Sequence, residues 1–192
     1  MAKLPKTMHG LDPYVCVSAV QKCIRRGLER QAMEFVVEMA RTSKHYFSWV
    51  CNRIEICVHE DIGLGDQNAV LFASRALEQA RRFYKPDRQG ECMIMVGNAV
   101  RCLCRANKSR EGDHYQAVCM LNSELNDYVP EVPDFAYDSH NLEGRQRGRG
   151  VQHFKDEGTQ LVPSPEGPDP YEEEAFELWF QQERERQKSS LF

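Results

Sequence analysis

From residue 13 to about residue 125, apolar side chains recur at intervals of three and four residues, and no convincing stretch alternates at two. That periodicity restricts the chain to amphipathic helices. Asp12-Pro13 marks the first start, with Asp12 a capping residue and Pro13 suited to the first helical position. Val17, Val20 and Ile24 then share a face, and Gly27 suits a left-handed stop. A second helix aligns Ala32, Phe35, Val36 and Met39, and a third Phe47, Val50, Cys51, Ile54 and Val58. A fourth, capped by Asp66, carries Ala69, Ala73, Ala76, Ala80 and Phe83 before Lys85-Pro86-Asp87 breaks it. A fifth carries Met93, Val96, Val100, Leu103 and Cys104, and a sixth Tyr115, Val118, Cys119, Asn122 and Leu125. Six helices with short connections predict an all-α bundle over residues 1–128.

The stretch HEDIGLGD, residues 59–66, interrupts this pattern. Glu60 and Asp61 stand at a helix C-terminus, where the dipole disfavours negative charge. Consecutive helical residues point about 100° apart, so His59, Glu60 and Asp61 cannot easily converge on a metal ion. No nucleophile accompanies the two carboxylates. The expectation is architectural: Gly63 ends the third helix, Asp66 caps the fourth, and Glu60 and Asp61 accept hydrogen bonds from free N–H groups or from an arginine.

The texture changes at Val129-Pro130-Glu131-Val132-Pro133. Residues 129–168 read as an irregular Gly/Pro-rich extension whose centre, NLEGRQRGRGVQHFKDEG, is basic, followed by the spacer PSPEGPDP. Residues 169–192 read as an acidic C-terminal helix with an edge of Phe176, Trp179 and Phe180. Charge divides likewise: residues 1–130 hold 18 Lys/Arg against 15 Asp/Glu, and residues 131–192 hold 7 against 14. Such asymmetry bears on partners rather than on fold.

No apolar run is long enough to span a bilayer, and no apolar segment follows Met1-Ala2-Lys3 to make a signal peptide. The eight cysteines form no C-x-x-C pair and most fall on apolar helix faces, so they are expected as reduced packing thiols in a cytoplasmic setting. No Gly-Lys dipeptide, G-x-S-x-G or H-E-x-x-H occurs. No cofactor, metal site or catalytic residue is therefore expected.

Two kinds of cationic feature remain. Arg145, Arg147 and Arg149, interleaved with glycines and followed by Lys155, offer guanidinium forks to phosphates. The competing reading pairs these arginines with the acidic tail at Glu172, Glu173, Glu174 and Glu177. Clusters at Arg25/Arg26/Arg30, Arg81/Arg82/Lys85/Arg88 and Arg101/Arg105/Lys108/Arg110 lie near helix ends, where they complement the dipole. A shared basic stripe is the alternative.

The order SAVQKCIRRG (18–27), AMEFVVEMA (32–40), HEDIGLGD (59–66) and Lys108-Ser109 resembles the C-terminal helical domain of the replication-associated recombination protein A family. This is the MgsA/RarA group of AAA+ ATPases related to clamp loaders. The resemblance covers about residues 8 to 125 and is strongest in the E-D-I-G-L turn and the helix ending in R-R-G. It departs at Gly65 and Gln67, where the family often has Ala and Pro, and at Arg110, where Asn is usual. ATPase and lid domains are missing, and the strings at 140–150 and 169–175 look like those of a stand-alone variant. The resemblance implies a collar-like fold that holds subunits together and does not carry over ATP hydrolysis.

The expected function is a non-catalytic accessory protein of DNA replication or recombination. It would self-associate as a homo-oligomer and offer the basic loop to DNA or a replication protein. The alternative is a pure protein-interaction module that binds or inhibits an AAA+ ATPase without touching DNA. An enzyme built on His59, Glu60, His140 and His153 is the third reading.

Overall fold

Asp12 accepts the Tyr14 N–H at 3.0 Å and Pro13 opens α1 (Pro13–Arg25), so the first helix starts where the sequence signals it. Gly27 follows at φ +73°, a conformation glycine adopts without strain. α2 (Glu29–Thr42) runs back, and α3 (Lys44–Cys57) begins at Ser43, whose hydroxyl accepts the Tyr46 N–H. α3 ends in a π turn (Val58–Ile62) and a 3-10 turn (Gly63–Gly65) before α4 (Gln67–Phe83) and α5 (Gly90–Arg105). α6 (Glu111–Asn126) completes the first of two compact units, which divide between Tyr128 and Val129.

The computed structural model describes residues 4–189, so residues 1–3 and 190–192 of the expected terminal segments lie outside it. Among the described residues every regular element is helical, and the fold is all-α. No described helix is long and apolar enough to cross a membrane.

The core of the first unit lies among α1 to α5. Val20, Ile24, Val36, Met39, Phe47, Val50, Ile54, Val96 and Leu103 are fully buried, and Phe47 stacks on Tyr84 at 4.4 Å. Each such side chain contributes about 1.5–3 kcal/mol relative to exposure. Ala69, Ala73, Ala76 and Ala80 line one face of α4 and allow close approach to α5, and Leu77 of the same helix is fully buried. Two details depart from the periodicity. Phe83, in the last turn of α4, is exposed, and in α5 Cys92 takes the core position while its neighbour Met93 is half-buried.

The larger departure is α6. Its face of Tyr115, Val118, Cys119, Asn122 and Leu125 has the spacing of a core helix, yet α6 buries none of its residues. It meets the bundle at the π and 3-10 turns of residues 58–65.

In the second unit, residues 129–168 and the C-terminal helix belong together rather than apart. A 3-10 turn (Asp134–Ala136), α7 (Leu142–Gln146) and α8 (Val151–His153) with its π continuation (Phe154–Gly158) precede α9 (Glu172–Ser189). Phe176 of α9 is buried, and the Trp179 ring meets Phe154 edge-on at 6.0 Å. The aromatic edge predicted for the tail is thus used within its own unit.

Candidate functional site

HEDIGLGD forms a charged knot beneath α6. Arg25, at the end of α1, donates from Nε to Asp61 Oδ1 at 2.7 Å and from Nη2 to Glu60 Oε1 at 2.9 Å. Glu60 Oε2 accepts from Gln21 Nε2 at 2.6 Å, and Arg110 approaches Glu60 Oε1 at 3.4 Å and Asp61 Oδ1 at 4.0 Å. Arg110 also pairs with Asp113 in the first turn of α6. Two arginines therefore offset two carboxylates at a helix end that disfavours negative charge. Paired with Asp61, the Arg25 guanidinium is held above its usual range.

The glycines of the knot have separate reasons. Gly63 sits at φ +47°, ψ −124°, outside the ordinary range of L-residues. Gly65 faces the α5–α6 connection so closely that a β-carbon there would lie 2.9 Å from the Asn107 carbonyl oxygen. The Asp61 carbonyl accepts the Ser109 N–H at 3.0 Å. Lys108 Nζ donates to the carbonyls of Leu103, Cys104 and Ala106 at 2.8, 3.0 and 2.8 Å, closing the end of α5. Asp66 Oδ1 accepts the Ala69 N–H at 3.0 Å and caps α4. Glu60, Asp61, Asp66 and Lys108 are each tied to backbone or to a polar or opposite-charged partner, which is the pattern of a joint.

Most cations of this unit's basic clusters are likewise engaged. Arg81 donates to Glu55 at 2.8 Å and Asn52 at 2.9 Å, and Arg101 and Arg105 share Glu29 at 3.1 and 2.5 Å. Arg30 pairs with Glu34, Arg88 with Glu91, and Arg26 donates to the Lys22 carbonyl.

In the second unit the arginine-glycine segment folds onto its own neighbours. Asn141 caps α7 by accepting the Gly144 N–H at 2.8 Å, and a β-carbon on Gly144 would collide with the Asp138 backbone. Arg149 donates both to the Tyr137 carbonyl at 3.0 Å and to the Asp134 carboxylate at 2.7 and 2.6 Å. Arg147 bonds Glu143 at 2.6 Å, and its guanidinium carbon lies 3.7 Å from the centre of the Tyr137 ring. The partners are Asp134 and Glu143, not the tail glutamates Glu172, Glu173, Glu174 and Glu177. Arg145 differs: it reaches the Ser139 carbonyl at 3.3 Å and lines a cleft of about 810 Å³ with His140, Phe154 and Trp179. Lys155 Nζ stands 5.2 Å from the Phe176 ring centre. Glu183 accepts the Val151 N–H at 3.0 Å, and the space it fills excludes a β-carbon on Gly150.

His140 pairs with Asp138 at 2.9 Å, and this bond, with the His140 N–H, holds the Asp138 carboxyl below the usual range. Among the described residues no group of three or more His, Cys, Asp or Glu side chains is placed to hold a metal ion.

The surface least explained by its own unit is α6. Tyr115, Val118 and Leu125 are 72%, 69% and 76% exposed, and Met120 and Leu121 add to them. Beside its first turns lies an apolar groove of about 1020 Å³, with Ile56, Leu64, Val70 and Leu71 in its wall. A helix apolar over so much of its circumference is ordinarily buried, and contiguous apolar surface of this kind marks interaction sites. The periodicity identified these residues correctly as an apolar face. It carried no information on whether this chain or another covers it.

Compared with known protein families and with curated proteins, the sequence matches none. What fold and geometry define is an all-α protein with an apolar helix displayed at one joint of its bundle.

Proposed function

We propose that the protein is a non-catalytic, protein-binding assembly module that self-associates through its helical first unit. The collar resemblance supplies the setting, an accessory role beside an AAA+ ATPase of DNA replication or recombination. The observation that carries the reading is the exposed face of α6, with Tyr115, Val118, Leu121 and Leu125 displayed together.

Charge favours protein over DNA as the partner. Affinity for nucleic acid rests on cations available to phosphates. Arg147 and Arg149 are bound to Asp134 and Glu143, and residues 131–192 hold 14 carboxylates against 7 cations. Of the four cations of the 145–155 loop, Arg145 and Lys155 make no ion pair among the described residues and are the ones that could meet a phosphate.

Light scattering on the purified full chain tests self-association, with a mass above 22.2 kDa expected. Fluorescence anisotropy with labelled single- and double-stranded DNA at low salt tests the rival. Binding that weakens in the triple variant Arg145→Ala/Arg147→Ala/Arg149→Ala, with a flattened salt slope, would shift the reading to a DNA contact. A monomeric mass at all concentrations would overturn self-association.

A further inference from the structure

We infer that α6 is a two-fold dimerisation helix, pairing antiparallel with α6 of a second copy about a centre near residue 120, with the two Cys119 side chains beside the dyad. This rests on the self-association reading and names its contact surface.

The spacing carries the argument. Glu111, Tyr115, Val118, Asn122 and Leu125 follow one another at intervals of four, three, four and three, the seam of a coiled coil. A seam buried in its own bundle would need no further explanation, but here Tyr115, Val118 and Leu125 are exposed. Of the seam positions from Tyr115 to Leu125, Asn122 is the polar one, and a single polar seam residue fixes register at some cost in stability.

The charge pattern selects the occupant. From Gln116 to Ser123 α6 carries no Asp, Glu, Lys, Arg or His, while Glu111, Asp113, His114 and Glu124 lie towards its ends. Two copies therefore meet without like charges along the centre, and a charged partner would find nothing to pair with there. Reversal about residue 120 sets Tyr115 against Leu125 of the second copy and Val118 against its Asn122. A parallel pair would instead place Glu111 against Glu111. Antiparallel alignment also opposes the two helix dipoles.

The same reversal places Cys119 and Leu121 on the two flanks of the centre. Cys119 is the exposed member of the eight cysteines. The seam is short, about 15 Å from Tyr115 to Leu125 at 1.5 Å per residue. It covers less than the roughly 800 Å² per partner of a standard interface. Assembly is thus expected at micromolar rather than nanomolar concentration.

The test uses the full chain. Sedimentation velocity across the micromolar range is expected to show a dimer that Val118→Glu/Leu125→Glu converts to monomer with an unchanged helical circular dichroism spectrum. A short bis-maleimide linker is expected to give a covalent dimer that Cys119→Ser abolishes. A dimer that survives the double glutamate variant would overturn the α6 interface while leaving self-association standing. A dimer lost in that variant but never cross-linked through Cys119 would overturn the antiparallel register. A wild-type chain monomeric throughout would remove the underlying reading as well.

Discussion

Arg25 and Asp61, 36 residues apart in sequence, meet through a 2.7 Å bond at the point where α1 ends and α3 unwinds into its π turn. Asp61 keeps 1% of its side chain exposed, and its Oδ2 is buried without a hydrogen-bond partner. Its charge is thus compensated mainly from one side. Arg110, at 4.0 Å, is a distant second contributor and is itself more exposed.

Removing Arg25 should therefore be costly. Breaking a buried ion pair by deleting one partner leaves an uncompensated charge, worth about 3–5 kcal/mol. Arg25→Ala is expected to lower the unfolding midpoint of the first unit strongly, and Arg110→Ala distinctly less. Denaturant unfolding followed by Trp49 fluorescence in a Trp179→Phe background reads that unit alone. Equal effects of the two variants would contradict the ranking.

The glycines of the joint should not behave alike. Gly65→Ala brings a β-carbon within 2.9 Å of a carbonyl oxygen and 3.1 Å of the Ser109 side chain, so the α5–α6 connection must shift. Gly112, in the first turns of α6, has nothing within 4 Å of such a carbon. Gly112→Ala is expected to stabilise by up to about 1 kcal/mol through helix propensity, and Gly65→Ala to destabilise. Thermal melts of the two variants check the opposite signs.

The second unit should be acid-sensitive through Asp138. Its carboxyl is held below the usual range first by the His140 side chain and then by the His140 N–H. A folded value below the unfolded one gives stability that is present above the unfolded value, about 3.9 for Asp. That stability is lost as pH falls through the folded value. Trp179 fluorescence in a Trp49→Phe background should report loosening in acid below about pH 4. Asp138→Asn should be less stable at neutral pH and show a flatter acid titration. An unchanged titration would remove Asp138 from this role.

Much of the fold was legible because helix caps and apolar periodicity are local signals. Asp12, Gly27 and Asp66 act within a few residues of themselves, so a one-dimensional reading finds them. Glu60 and Asp61 showed a local conflict with the helix dipole, which marked the joint. Their partner Arg25 is non-local, and nothing in the spacing selects it over Arg26 or Arg30. The arginine-glycine segment was ambiguous for the same reason. Arg147 and Arg149 answer to Asp134 and Glu143, and only folding of residues 134–149 brings Asp134 within reach. The capping position of Asn141, three residues before Gly144, was the available clue that this segment is ordered. α6 marks the limit of pattern reading, since a core face and an interface face obey the same periodicity.

Thiol chemistry separates those two fates of a cysteine. Burial pushes the thiols of Cys51 and Cys57 up to about 12 and that of Cys104 up to about 11. Near neutral pH each is almost wholly protonated and enclosed, and the thiolate is the reactive form. Cys16 and Cys92 are buried and also raised by burial, while Cys23 and Cys102 are half-buried and raised first by the same cause. Cys119, on the outer surface of α6, is not enclosed. In a dilute native solution, Ellman's reagent is expected to titrate one thiol rapidly, absent in Cys119→Ser, and all eight after denaturation. Raising the protein concentration should slow that one reaction without stopping it, because pairing of α6 crowds residues beside the dyad while leaving the flank thiols within reach of a maleimide. A rate independent of concentration, in a sample shown by its mass to be dimeric, would place the interface elsewhere on the molecule.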